Sequence, residues 1–276
     1  MVNCINFSNE PITKVFRNNG GDSFTDIGAT IAPVSNGISE FVDLNNDGYT
    51  DIFETGTDLS GNPSTLYYIN DKKGGFSPSG KEFKNLKNSH ASFGDYNNDG
   101  YTDISITGED PNGVHTYVYK NMGSAGFTEI GIIYNNPTYN QSHWFDYDND
   151  KDLDLLMTSD NSWRVSNVVP EDMIYKNTGD DTFEKDLTFK GQLKYAGYSA
   201  LSLFRYDADS DIDFIQSVFD PATSSYKLVI FNNLCPLIKS APSAPSGLSA
   251  EIAGNKVILS WNNTDQIGRA SCRERV

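Results

Sequence analysis

Apolar residues in this chain come in short runs, and each run sits against a polar loop rich in aspartate. Phe41-Val42 precedes one such loop and Ile52-Phe53 follows it. Phe93-Gly94 and Ile104-Ser105-Ile106 flank a second, Trp144-Phe145 and Leu155-Leu156-Met157 a third, and Leu203-Phe204 and Phe214-Ile215 a fourth. Further along each unit an aromatic residue is followed by asparagine: Tyr68 and Asn70, Tyr119 and Asn121, Tyr175 and Asn177, Phe231 and Asn232. A glycine-rich turn and a phenylalanine come next, at Phe76, Phe127 and Phe183. No stretch carries the long apolar stripe of a helix. Short apolar runs bounded by Gly, Asn, Asp and Ser predict short strands joined by tight turns. Each unit then holds four strands. The first ends at the aspartate loop, the second leaves it, the third carries the aromatic and asparagine, and the fourth carries the phenylalanine.

The loops are copies of one another. DLNNDGYTD begins at Asp43, DYNNDGYTD at Asp95, DYDNDKDLD at Asp146 and a degraded RYDADSDID at Arg205. Four antiparallel strands recurring with a period of roughly 50 residues meet the requirement of a propeller blade. One such sheet cannot bury both faces, so neighbours must stack. A β-sandwich with coincidental aspartate turns would not carry four copies in register with matching flanks. The expected fold is all-β: a partial β-propeller of about four blades, each of four antiparallel strands. Residues 1–28 read as the tail of a preceding blade, with 14–28 as its third and fourth strands. Blades follow at 29–80, 81–132 and 133–190, then a last blade at 191–238 lacking its fourth strand. That strand is expected to come from upstream of Met1, in a larger ring. Residues 239–246 form a Pro/Ser linker. Residues 267–276 fit no element and read as the translation of a sequencing adapter.

The formal net charge is −16, with 37% hydrophobic and 12% aromatic residues among 276. A chain this acidic is not drawn to nucleic acid or to an anionic membrane surface. No apolar stretch is long enough for a membrane-spanning helix, so no membrane insertion is expected. Cys4, Cys235 and Cys272 have no spacing that suggests zinc or a redox pair. The first residues are not a signal peptide, which reads as a missing N-terminus.

The aspartates explain the charge. In the first loop Asp43, Asn45 and Asp47, at positions 1, 3 and 5, can turn oxygens toward one centre. The carbonyl of Tyr49 at position 7 can join them, and Asp51 at position 9 can close the site. The same positions are Asp95, Asn97, Asp99, Tyr101 and Asp103 in the second loop, and Asp146, Asp148, Asp150, Asp152 and Asp154 in the third. Glycine at position 6, as at Gly100, permits the sharp turn. Five or more hard oxygen ligands suit Ca²⁺, two to three ions in all, while Mg²⁺ demands a tighter octahedron. Clustered carboxylates also repel one another without a cation. Lys151 replaces the glycine of the third loop, where strain is expected, yet its carboxylates remain. Arg205 replaces the first ligand of the fourth, leaving Asp207, Asp209 and Asp213. The guanidinium is expected to pair with them, and no calcium is expected there.

This loop, D-x-[DN]-x-D-G-x-x-D, inside a repeat of this length and preceded by Phe93-Gly94, resembles FG-GAP/VCBS repeats. Such repeats occur in integrin α-subunit propellers and in many secreted bacterial proteins. The resemblance covers residues 14–235 and implies a propeller, usually seven-bladed, with calcium in loops on one rim. Pro245 and Leu248 followed by Val257, Leu259 and Trp261 resemble the opening of a fibronectin type III domain, over residues 247–266. Together these imply an extracellular or cell-surface protein whose export signal lay upstream. The expected function is a non-catalytic, calcium-binding module for adhesion to a protein or glycan partner. A lectin with sugars on Trp144 or Trp163 is the second reading. A polysaccharide lyase or hydrolase on the same scaffold, with His143 as base, is the third. His90 and His143 fall on first strands near the axis, but none of the three histidines, His115 included, belongs to a nucleophile motif. The aspartate pairs a glycosidase would need are already accounted for as metal ligands.

Overall fold

A computed structural model describes residues 1–6, 8, 10–135, 139–159, 172–189, 201–208, 211–220, 223–233, 246–253 and 256–262. It is all-β. Strands β1 (Val2–Ile5) and β2 (Pro11–Lys14) pair, as do β3 (Phe16–Gly20) and β4 (Ser23–Asp26). A four-stranded antiparallel sheet follows, from β5 (Ser35–Val42), β6 (Asp51–Thr57), β7 (Pro63–Asn70) and β8 (Phe76–Pro78). The next comprises β9 (Lys87–Gly94), β10 (Asp103–Asp110), β11 (Gly113–Asn121) and β12 (Phe127–Asn135), and the third β13 (Tyr139–Phe145), β14 (Asp154–Ser159), β15 (Met173–Gly179) and β16 (Thr182–Lys185). A three-stranded sheet holds β17 (Leu201–Phe204), β18 (Asp213–Asp220) and β19 (Ser225–Phe231). In all four the strands lie side by side in chain order, as partial propeller blades do. The β3–β4 pair joins the segments read as third and fourth strands of a preceding blade; the β1–β2 pair was not foreseen.

Finally β20 (Ser246–Ala253) pairs antiparallel with β21 (Lys256–Asn262). A two-stranded ribbon is common to many β folds, and nothing here supports the fibronectin type III expectation. Residues 239–245 of the linker, the adapter-like residues, Cys235, Cys272, Asp209 and Trp163 lie outside the described residues, while Ser246, read as the linker's end, begins β20.

The blades stack as the repeat demands. β9 packs on β5 and β6, and β13 on β9 and β10, so first strands neighbour one another. Second strands are covered on both faces: Asp51–Gly56 and Asp103–Gly108 are wholly buried. One apolar cluster fills each joint. Phe53 and Tyr67 of the first blade meet Ile104 and Ile106 of the second. Val118 and Tyr96 meet Leu155, Met157 and Trp144 of the third. Leu156 and Ile174 meet Phe214 of the fourth. Val15 and Ile31 cover Ile52 and Tyr68 at the front. No helix among the described residues is long and apolar enough to cross a membrane.

Candidate metal centres

Each aspartate loop joins a first strand to a second, so all lie on one rim. In the first, Asp43 accepts hydrogen bonds from Asp47 N at 3.1 Å and Gly48 N at 2.8 Å, and Asp47 accepts from Tyr49 N at 3.0 Å. The second repeats this: Asp95 with Asp99 N at 3.0 Å and Gly100 N at 2.8 Å, Asp99 with Tyr101 N at 3.0 Å. In the third, Asp146 accepts from Lys151 N at 3.0 Å and Asp150 from Asp152 N at 3.0 Å. Asn45 and Asn97 turn their carbonyl oxygens onto the position-5 amides. The chain reverses through left-handed residues at position 6: Gly48 at φ 86°, Gly100 at 89° and, against its side chain, Lys151 at 78°. The expected strain at Lys151 is therefore present.

Position 9 does more than close the loop. Asp51, Asp103, Asp154 and Asp213 are all fully buried. One oxygen of each accepts from the backbone N–H at the end of the third strand: Asn70, Asn121, Asn177 and Asn233, at 2.7–2.8 Å. In the last three the other oxygen accepts from the position-2 amide (Tyr96, Tyr147, Tyr206), and in the first from Tyr67 OH at 2.6 Å. Burial pushes the Asp103 and Asp154 carboxyls up to about 7 and raises Asp51 too, against these hydrogen bonds. The fourth recurring asparagine is thus Asn233, not Asn232; the chain places the aromatic and asparagine two apart in every blade.

Ligand atoms of Asp146, Asp148 and Asp154 lie within 4.8 Å of one another. Asp146 Oδ1 is buried and without a hydrogen-bond partner. A hard cation fits this all-oxygen donor set. Among the described residues no other three acidic or histidine groups converge so closely; in the first two loops asparagine holds position 3. The side chain of Asp152 accepts from Asn98 Nδ2 of the neighbouring loop at 2.7 Å. The side chain of Tyr49 is exposed, with Lys72 Nζ 5.1 Å from its ring centre. In the fourth loop Arg205 is exposed. Asp207 there accepts from Asn232 Nδ2 at 3.0 Å and Asp213 from two backbone amides.

Lysines approach the loops, which the pattern of aspartates did not foretell. Lys72 lies 3.2 Å from Asp47. Lys176 sits on Asp148 and 3.3 Å from Asp150. Neighbouring loops are also joined to each other. Asn46 Nδ2 reaches Gly100 O at 3.3 Å, and Asn98 Nδ2 reaches Lys151 O at 3.2 Å. Asn121, Asn177 and Asn233 donate to the position-2 carbonyl of the preceding loop, on Leu44, Tyr96 and Tyr147, at 2.7–2.8 Å.

The other candidates are placed differently. Trp144 is buried between blades, stacked on Tyr96 with ring centres 5.5 Å apart, and presents no face to a sugar. His90 and His143 face each other at 4.8 Å. Burial holds their protons off down to about 4 and about 3, so His143 is a weak base at neutral pH. His115 is buried 3.4 Å from Asp110.

Stacked antiparallel blades, each turning on an aspartate loop at the same rim, define an all-β repeat protein of the propeller kind. Residues 43–105 and 95–157 match the FG-GAP-like repeat family. Each matched window runs from one loop through the next loop and into the strand beyond it. No curated protein matches the chain.

Proposed function

We propose that this chain is a non-catalytic, calcium-binding propeller module of a secreted or surface protein, serving adhesion to a protein or glycan partner. The convergence of Asp146, Asp148 and Asp154, with an unsatisfied buried oxygen on Asp146, carries the calcium reading. Asp43, Asn45, Asp47 and Asp51, and Asp95, Asn97, Asp99 and Asp103, with the Tyr49 and Tyr101 carbonyls, supply the same donors in the first two loops. A bound ion would offset the repulsion of carboxylates and stabilise the fold, by about 2.7 kcal/mol when calcium stands at 100 times Kd. Calcium outside cells is abundant enough for weak sites of this type to fill. The Asp58–Asn62 and Asp110–Gly113 turns on the opposite rim are free to meet a partner.

Calorimetric titration of the full chain with CaCl2, and separately MgCl2, tests this, with thermal melts in calcium and in chelator. Two to three calcium sites and a higher Tm in calcium are expected. Absence of both heat and Tm shift would leave the loops as polar turns.

A further inference from the structure

We propose that two lysines at one repeat position, Lys120 and Lys176, make the ion affinities of the second and third loops unequal, Lys176 competing with an ion in the third loop and Lys120 held off the second, so that the third loop binds most weakly. This rests on the calcium reading above. Each lysine lies between the tyrosine and the asparagine of a third strand, Tyr119 and Asn121 in one blade, Tyr175 and Asn177 in the next. The asparagine N–H is bonded to the position-9 aspartate, so the residue before it lies beside the loop.

The two side chains go to different places. Lys176 Nζ contacts Asp148 Oδ2 and lies 3.3 Å from Asp150 Oδ2. It occupies the ground of a cation within its own loop. Lys120 Nζ instead lies 2.9 and 3.0 Å from the two oxygens of Asp181, in the β15–β16 turn of the following blade. Tyr96 OH, donating to Asp181 Oδ1 at 2.6 Å, fixes that carboxylate in place. Lys120 and Asp181 line a polar cleft of about 450 Å³ beside Asn97. Lys120 thus bonds Asp181 rather than the second loop: Asp99 and Asp103 act on it only through space, and the hydrogen bonds to Asp95 and Asp99 come from backbone amides. The first blade has Ile69 at this position; its Lys72 reaches Asp47 from a turn and is half exposed.

A divalent ion entering the third loop must displace an ammonium from two carboxylates, and one entering the second need not. The Lys176 side chain is 39% exposed and Asp148 20%, so water screens the pair and the difference is about tenfold in affinity. Calcium calorimetry on the full chain and on K176M, K176R and D181N reads it. K176M should tighten the weakest site about tenfold, K176R should leave it unchanged, and D181N should weaken a tighter site by freeing Lys120. A gain of affinity cannot come from misfolding. If the wild type binds calcium but K176M leaves every stepwise affinity within about twofold, or D181N acts in the same direction as K176M, the lysine proposal falls alone. A wild type that takes up no calcium removes the calcium reading itself.

Discussion

Glu54 stands three residues beyond its loop, where the next two blades carry Ile106 and Met157 and the fourth Gln216. It is fully buried; Oε1 accepts from Ser39 at 2.7 Å, and the Thr13 hydroxyl is the other polar group beside the carboxyl. Burial pushes its carboxyl from 4.5 up to about 7. The folded state therefore holds a proton that the unfolded chain has released at neutral pH. Stability is fully present below about pH 4.5 and is lost as pH rises through about 7, by on the order of 3 kcal/mol. Glu54→Gln keeps the shape without the ionisation. Urea midpoints of variant and wild type should coincide near about pH 4 and part above about pH 7, with the variant the more stable. Midpoints that stay parallel across that range would contradict the burial argument. The acid itself was in plain sight in the chain, but a glutamate in an alternating segment reads as solvent-facing. Only a blade packed on each side turns that position inward.

Strands and loops are knit by asparagine. Asn177 joins three places at once: its N–H to Asp154 at 2.8 Å, and its Nδ2 to Leu153 O at 3.2 Å and to Tyr96 O at 2.8 Å in the blade before. It is 5% exposed, so Asn177→Ala strands two buried carbonyls. The expected cost is about 1–3 kcal/mol, measured as a lowered urea midpoint with unchanged slope. A change within about 0.5 kcal/mol would show that water replaces the amide. Recurrence of the asparagine was legible, because local spacing repeats. Its destination was not, because that carbonyl lies 81 residues away.

Stacking of blades sets the tolerance of the assembly to added bulk. A Cβ at Gly94 would lie 2.7 Å from Leu153 Cδ1 and 3.3 Å from Trp144 Cβ. Glycine here lets the end of one first strand approach the next blade. Gly94→Ala should cost about 1–3 kcal/mol by overpacking, seen as a Tm lower by several degrees. An unchanged Tm would mean the joint has slack. The same close approach explains why Trp144, a candidate sugar platform on sequence grounds, is spent on Tyr96.

Strand order within a blade and the place of each aspartate loop follow from the chain alone, while the β1–β2 pair at the front does not. The order and the loops depend on local periodicity, turn chemistry and a repeat that restates them four times. Which groups meet across blades was decided by the packed structure: Lys120 with Asp181, 61 residues on, Asn177 with Tyr96, and Lys176 with its own loop. Such contacts depend on how neighbouring sheets lean together. No local pattern encodes that angle, so lysines at one repeat position could take different roles unannounced.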